Sequence, residues 1–130
     1  MGTFSDLEVS TDDVCEVIAR FGSGTVGSIH LDMVDRSARS EVEIIGTEST
    51  LLIDLEGHTV RLYDTRANRW DTQTFEPSYD QMYVDEIDHF FACVEGRERP
   101  RVDLRAGYQV QRIIDACNRS SATGRWIALD

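Results

Sequence analysis

Three groups of residues in this 130-residue chain have types and spacings that could do chemistry. Asp85 and His89 stand four apart. On a helix that spacing puts a carboxylate and an imidazole on one side, where one could orient the other for proton transfer. With Asp88 they also have the donor types of a metal site, but no further ligand is spaced to complete it. The plainer reading is a solvated acidic face, with Asp85 and His89 as an i,i+4 surface or boundary pair. Glu16 and His30 form the second group. They fall opposite one another across a strand pair, where they would fix register and make an association pH-sensitive through the imidazole. The competing reading is a solvated pair. The third group, Asp32, Asp35, Arg36 and Arg39, is a charged run at the end of a strand. The planar fork of arginine suits a carboxylate or phosphate; taken singly, each of these residues also fits an ordinary polar loop.

Composition narrows the chemistry. The net charge is −11, and all 13 basic residues are arginine. A surface of that sign repels nucleic acid phosphates and anionic membranes, so neither is expected as a partner. Without lysine, no Schiff base or lysine acid/base can operate in this chain. A GC-rich genome is the favoured explanation for the missing lysines, and adaptation to high salt the alternative. Cys15, Cys93 and Cys117 are odd in number and far apart, which argues against a disulfide framework and a structural zinc site. Buried free thiols are expected. No run of residues is long and apolar enough for a membrane helix, and no signal peptide is visible. A soluble, cytoplasmic, single domain over residues 1–130 is expected.

The elements that must position these residues follow from periodicity. Residues 13–21 alternate, with Cys15, Val17, Ala19 and Phe21 on one face. After Gly22-Ser23-Gly24 the pattern resumes with Gly27, Ile29, Leu31 and Met33. Both apolar faces must meet one core, so odd positions pair with odd. A three-residue loop with Phe21 opposite Thr25 does this. It sets Val17 opposite Ile29, and Glu16 opposite His30. Further strands are expected over 41–45, 50–55, 59–63 and 69–75, with turns at 56–58 and 66–68. The short connections require antiparallel pairing. Ser78, with Gln81 as its capping-box partner, is expected to open a first helix that Gly96 ends. Asp103 is expected to cap a second helix, and residues 126–129 to form a last strand. The expected architecture is α+β: an open, mostly antiparallel sheet of about six or seven strands, with two C-terminal helices packed on one face. The other face, with Val14, Ile18, Val26 and Val34 among polar groups, has nothing left to cover it and suggests an interface.

Four stretches, in this order, resemble the C-terminal domain of the glucose–fructose oxidoreductase, inositol dehydrogenase and MocA (Gfo/Idh/MocA) family. Residues 17–29 are similar to its first sheet hairpin. Residues 43–51 resemble its I-x-G-T-x-G-x-L stretch, with Ser49 where glycine is usual. Residues 85–96, with Pro100 and Val102, resemble its E-x-x-x-F-x-x-x-x-x-G helix and connector. Residues 116–121, with Gly124 and Ile127, resemble its closing A-x-x-x-S-x-x-x-G segment. The resemblance covers about residues 9–130.

It implies a domain that shapes the substrate side of an NAD(P)-dependent oxidoreductase for sugars or cyclitols and often builds oligomers through its exposed sheet face. On that basis Asp32, Asp35, Arg36 and Arg39 are substrate-side candidates, and Glu16, Ile18, Arg20, Ser28 and His30 are interface candidates. The family's Glu-Lys-Pro lysine has no counterpart here. Its Asp-x-x-x-His motif belongs on a helix before the sheet, so Asp85 and His89 only mimic it. Gly22-Ser23-Gly24 lies between strands and cannot cradle a pyrophosphate. The expectation is therefore a domain without its N-terminal Rossmann partner. By itself it would have no catalytic, cofactor-binding or metal residues, while NAD or NADP and a sugar-like substrate belong to the parent protein, expected to be a homo-oligomer. The alternative is a self-sufficient, non-redox binding or scaffold module.

Overall fold

A computed structural model describes residues 1–129. Its elements run β1 (Val14–Arg20), β2 (Val26–Asp32), β3 (Glu41–Ile45), β4 (Thr50–Asp54), β5 (Thr59–Asp64), β6 (Arg69–Thr74), α1 (Tyr79–Val94) and α2 (Leu104–Thr123). The fold is α+β, and all strand pairing is antiparallel. The strands form two open sheets, β1-β2 and β3-β4-β5-β6, in place of one continuous sheet. The chain divides into two compact units, one of residues 1–35 with 100–130 and the other of residues 36–99.

The first unit contains the β1-β2 hairpin in the expected register. Val17 faces Ile29, and Glu16 faces His30. The Phe21 amide donates to Thr25 O at 2.9 Å, closing the three-residue loop. After β2 the chain turns sharply, because Asp32 Oδ1 accepts from the amides of Val34 and Asp35. That turn ends β2 within its own hairpin. β1 has a free second edge, engaged by Gly2 through a bridge to Val14. Asp13 holds the same N-terminal segment in place. It is 1% exposed, and its carboxylate accepts from the Phe4 and Ser5 amides at 2.7 and 2.8 Å and from the Ser5 hydroxyl.

Asp103 caps α2 by accepting from the Ala106 amide at 2.8 Å. Gly124 closes the helix at φ +64, a left-handed conformation that an L side chain enters only with strain. Residues 126–129 do not form a strand. They line a cleft together with residues of β1 and α2.

In the second unit the central strands β4 and β5 are half-buried and the edge strands β3 and β6 are exposed. Cross-strand partners put Ile44, Leu51 and Leu62 in one row and Val42, Ile53 and Val60 in the next. Both rows share a face, since residues two apart on a strand point the same way. On the other face Arg61 stacks over Trp70 at 4.6 Å, and Tyr63 packs against the same ring. In the β4–β5 turn the Gly57 amide donates to Asp54 Oδ1 at 2.7 Å, and a Cβ at Gly57 would make that carboxylate shift. Asn68 and His58 take the left-handed turn positions, each at φ 51. Ser49 needs no glycine backbone; it keeps a negative φ and donates its hydroxyl to Tyr63 O at 2.9 Å. Ser78 precedes α1 without a side-chain cap. Its expected partner Gln81 donates instead to Asp85 Oδ1 at 2.7 Å.

Five aspartates, Asp13, Asp32, Asp54, Asp64 and Asp103, thus accept backbone amides at turns and caps. Three of them titrate below the ordinary 3.8. For Asp13 the main cause is the Ser5 hydroxyl, for Asp32 the Asp35 amide and for Asp64 the Ala67 amide. A depressed folded pKa contributes stability that is present above the unfolded value and lost as pH falls through the folded one. Acid titration followed by circular dichroism should therefore show loss of structure below pH 3.8. Asp13→Asn should accelerate hydrogen exchange at Phe4 and Ser5 at neutral pH, because its amide cannot accept both backbone donors and the hydroxyl as a carboxylate does.

Candidate functional site

The β1-β2 hairpin presents the most developed polar cluster on the expected interface face. His30 sits between two carboxylates. Its Nδ1 meets Glu16 Oε1 across the strand pair, and its Nε2 meets Asp32 Oδ2 at 2.8 Å along its own strand. Asp32 is itself fixed by the turn amides, so one imidazole ties the two strands to the turn that ends the second. The pairing with Glu16 raises the His30 pKa above 6.5, and Asp32 adds to the shift. Around this cluster the face is open. Ile18 is 64% and Val26 65% exposed. Ser28 lies opposite Ile18, and Arg20 opposite Val26. Two exposed apolar side chains within a polar frame have the composition of an interaction surface.

Behind β1 the same unit holds an open cleft of about 850 Å³. β1, α2 and the segment 124–129 line it, with Ile113, Ala116 and Cys117 contributed by the helix. Glu16, Ile18 and Arg20 border it as well.

Of the substrate-side candidates, Asp32 and Asp35 belong to the first unit and Arg36 and Arg39 to the second. Asp32 is committed to the turn and to His30. The Asp85–His89 pair resolves into other partners: Asp85 accepts from Gln81, while His89 Nδ1 meets Glu98 Oε2 at 2.6 Å and His89 Nε2 faces Cys93 Sγ at 3.6 Å. The sequence reading missed Glu98 and the partnership with Cys93. The i,i+4 spacing of His89 and Cys93 was a usable signal. Glu98 becomes a partner only because Gly96, at φ +74, reverses the chain after α1. Among the described residues, no cluster of three or more His, Cys, Asp or Glu side chains has the geometry to hold a metal ion. No helix among them is long and apolar enough to cross a membrane.

A family model described as the oxidoreductase family, C-terminal alpha/beta domain (Gfo/Idh/MocA), matches residues 1–129. The chain belongs to this family. Part of it is similar to a D-xylose 1-dehydrogenase (NADP(+)) of Haloferax volcanii, 41% identical over 59 residues. The match covers 45% of this chain and 18% of that protein. No solved structure matches.

Neither helix N-terminus described in this Gfo/Idh/MocA domain has the form of a glycine-rich cradle for a dinucleotide's pyrophosphate. A pyrophosphate needs free amides at a glycine-rich helix N-terminus. The Asp103 carboxylate occupies that position on α2, and α1 opens after Glu76 and Pro77 with Asp80 in its first turn. Gly24 serves the hairpin loop at φ +91.

A raised histidine pKa contributes stability that is complete below the unfolded value and lost as pH rises through the folded one. The His30 tie should therefore hold at and below pH 6.5 and release above its raised pKa. An NMR titration of the His30 ring should place its midpoint above 6.5, and Glu16→Gln should lower it; an unmoved midpoint would remove Glu16 as the main cause.

Proposed function

We propose that this chain is the substrate-side and assembly domain of an NAD(P)-dependent oxidoreductase acting on a sugar or cyclitol. The redox chemistry would belong to a nucleotide-binding Rossmann domain of the same protein. The observation that carries the reading is apolar surface that the chain does not bury. Among the described residues, Ala92 and Ala116 are the only buried apolar side chains. The accessible surface is 11395 Å² for 14.7 kDa. Two compact globules of half that mass each would together expose roughly 8,400 Å². The excess of about 3,000 Å² on this one chain is at least as large as the roughly 1,000–2,500 Å² that each partner of an obligate interface buries. It favours a domain built to be covered over a self-sufficient scaffold module.

Two surfaces share the work in this proposal. The hairpin face with Glu16, Ile18, Arg20, Ser28 and His30 joins two copies of the chain. The connector after β2, with Asp35, Arg36 and Arg39, approaches the substrate in the parent protein, where the arginines suit hydroxyl-rich or anionic groups. The xylose dehydrogenase activity of the Haloferax relative makes a pentose the first substrate to try and NADP the first cofactor.

The chain alone should show no NADPH binding by fluorescence titration. Together with the parent's nucleotide-binding domain it should support aldose-dependent NADP reduction. NADPH binding to the isolated chain would overturn the division of labour. Sedimentation should report a dimer that Arg20→Glu or Ile18→Asp shifts to monomer, and an unchanged mass in both variants would remove the hairpin face as the contact.

A further inference from the structure

We infer that Cys93 is a reactive thiol, activated by His89 and Glu98, and that it is the chain's site for mixed-disulfide formation with low-molecular-weight disulfides. The three side chains form a relay within one unit. Glu98 Oε2 lies 2.6 Å from His89 Nδ1, and His89 Nε2 lies 3.6 Å from Cys93 Sγ. This is the order of a nucleophile, a base and a carboxylate that orients the base. With Nδ1 protonated and held by Glu98, Nε2 presents its lone pair to the thiol. The His89 side chain is only 21% exposed, which holds the ring in place. Cys93 is half-buried and so retains access to a small reagent.

Cys93 lies one residue from the end of α1 and four residues after His89, on the same side of the helix. An imidazole so placed can take the thiol proton during attack. Glu95, also nearby in sequence, is paired with Arg97 at 2.7 Å, so Glu98 is the carboxylate engaged with the ring. Among the described residues, neither Cys15 nor Cys117 has a hydrogen bond to an imidazole, so the relay distinguishes one thiol of three.

The step balances without a further reagent. Cys93 Sγ attacks one sulfur of a disulfide RSSR while His89 Nε2 receives the thiol proton. The Cys93 S–S bond forms, the R–S–S–R bond breaks, and the departing thiolate takes the proton from His89 to leave as RSH. The disulfide is the oxidant and is reduced to one thiol. A mixed disulfide would then stand beside the Gly96 turn that brings Glu98 to His89.

The test treats the folded full chain with glutathione disulfide and maps the modified cysteines over time by peptide mass spectrometry. Cys93 should be modified first, on the order of tenfold or more faster than Cys15 and Cys117. His89→Gln should reduce its rate to that of the other two. Glu98→Gln, a change in a positioning residue, should lower the rate and move the rate–pH profile of Cys93, which a purely structural role would not do. Circular dichroism of each variant establishes that it is folded. Should His89→Gln fail to fold, Glu98→Gln decides. Equal rates at the three cysteines, or a Cys93 rate and pH profile unchanged in a folded variant, would overturn the inference.

Discussion

The constraint on which the rest of the structure depends is apolar surface that these residues do not bury among themselves. The strands and helices are well formed, but their apolar stripes remain largely open. Tyr83, Ile87, Phe90 and Val94 on α1 are each more than half exposed, as are Ile18, Val26 and Leu31 on the hairpin. Burial of such side chains is the main favourable term in folding and association. A chain that leaves them exposed gains little of that term from its own contacts.

With little core to set the local geometry, polar contacts do much of that work. Aspartates secure the N-terminal segment, the end of β2, two of the three turns of the larger sheet and the start of α2. The strongly negative composition is therefore more than a solvating coat, because part of it is the machinery that closes turns. His30 links one of these turn-making carboxylates to Glu16 on the neighbouring strand. A cluster of this kind on an open face combines mechanical and electrostatic roles, since the ring that fixes the register also titrates.

Much of the fold was legible from the sequence because it depends on local rules. The hairpin register followed from alternation and a three-residue loop, and the structure has the same pairs. Asp103 and Gly124 mark the ends of α2 as capping chemistry requires. The reading failed where residues were free to choose other partners. Gln81 took Asp85 in preference to a capping role at Ser78. Residues 126–129 have the composition of a strand, but they pair with none and help line a cleft beside β1 and α2. The connection after β2 looked like a continuing sheet until the Asp32 turn ended it.

The sequence by itself determined the family, the antiparallel meander followed by two helices, and the absence of lysine chemistry. These follow from residue order and from periods of two and 3.6, which are properties of neighbours along the chain. Only the tertiary structure decided which side chains meet. It separated the strands into two sheets, put His30 between two carboxylates, and took His89 from its apparent partner to set it between Glu98 and Cys93. Such choices depend on where the backbone reverses, and a reversal such as that at Gly96 brings together residues whose separation in sequence carries no signal of contact.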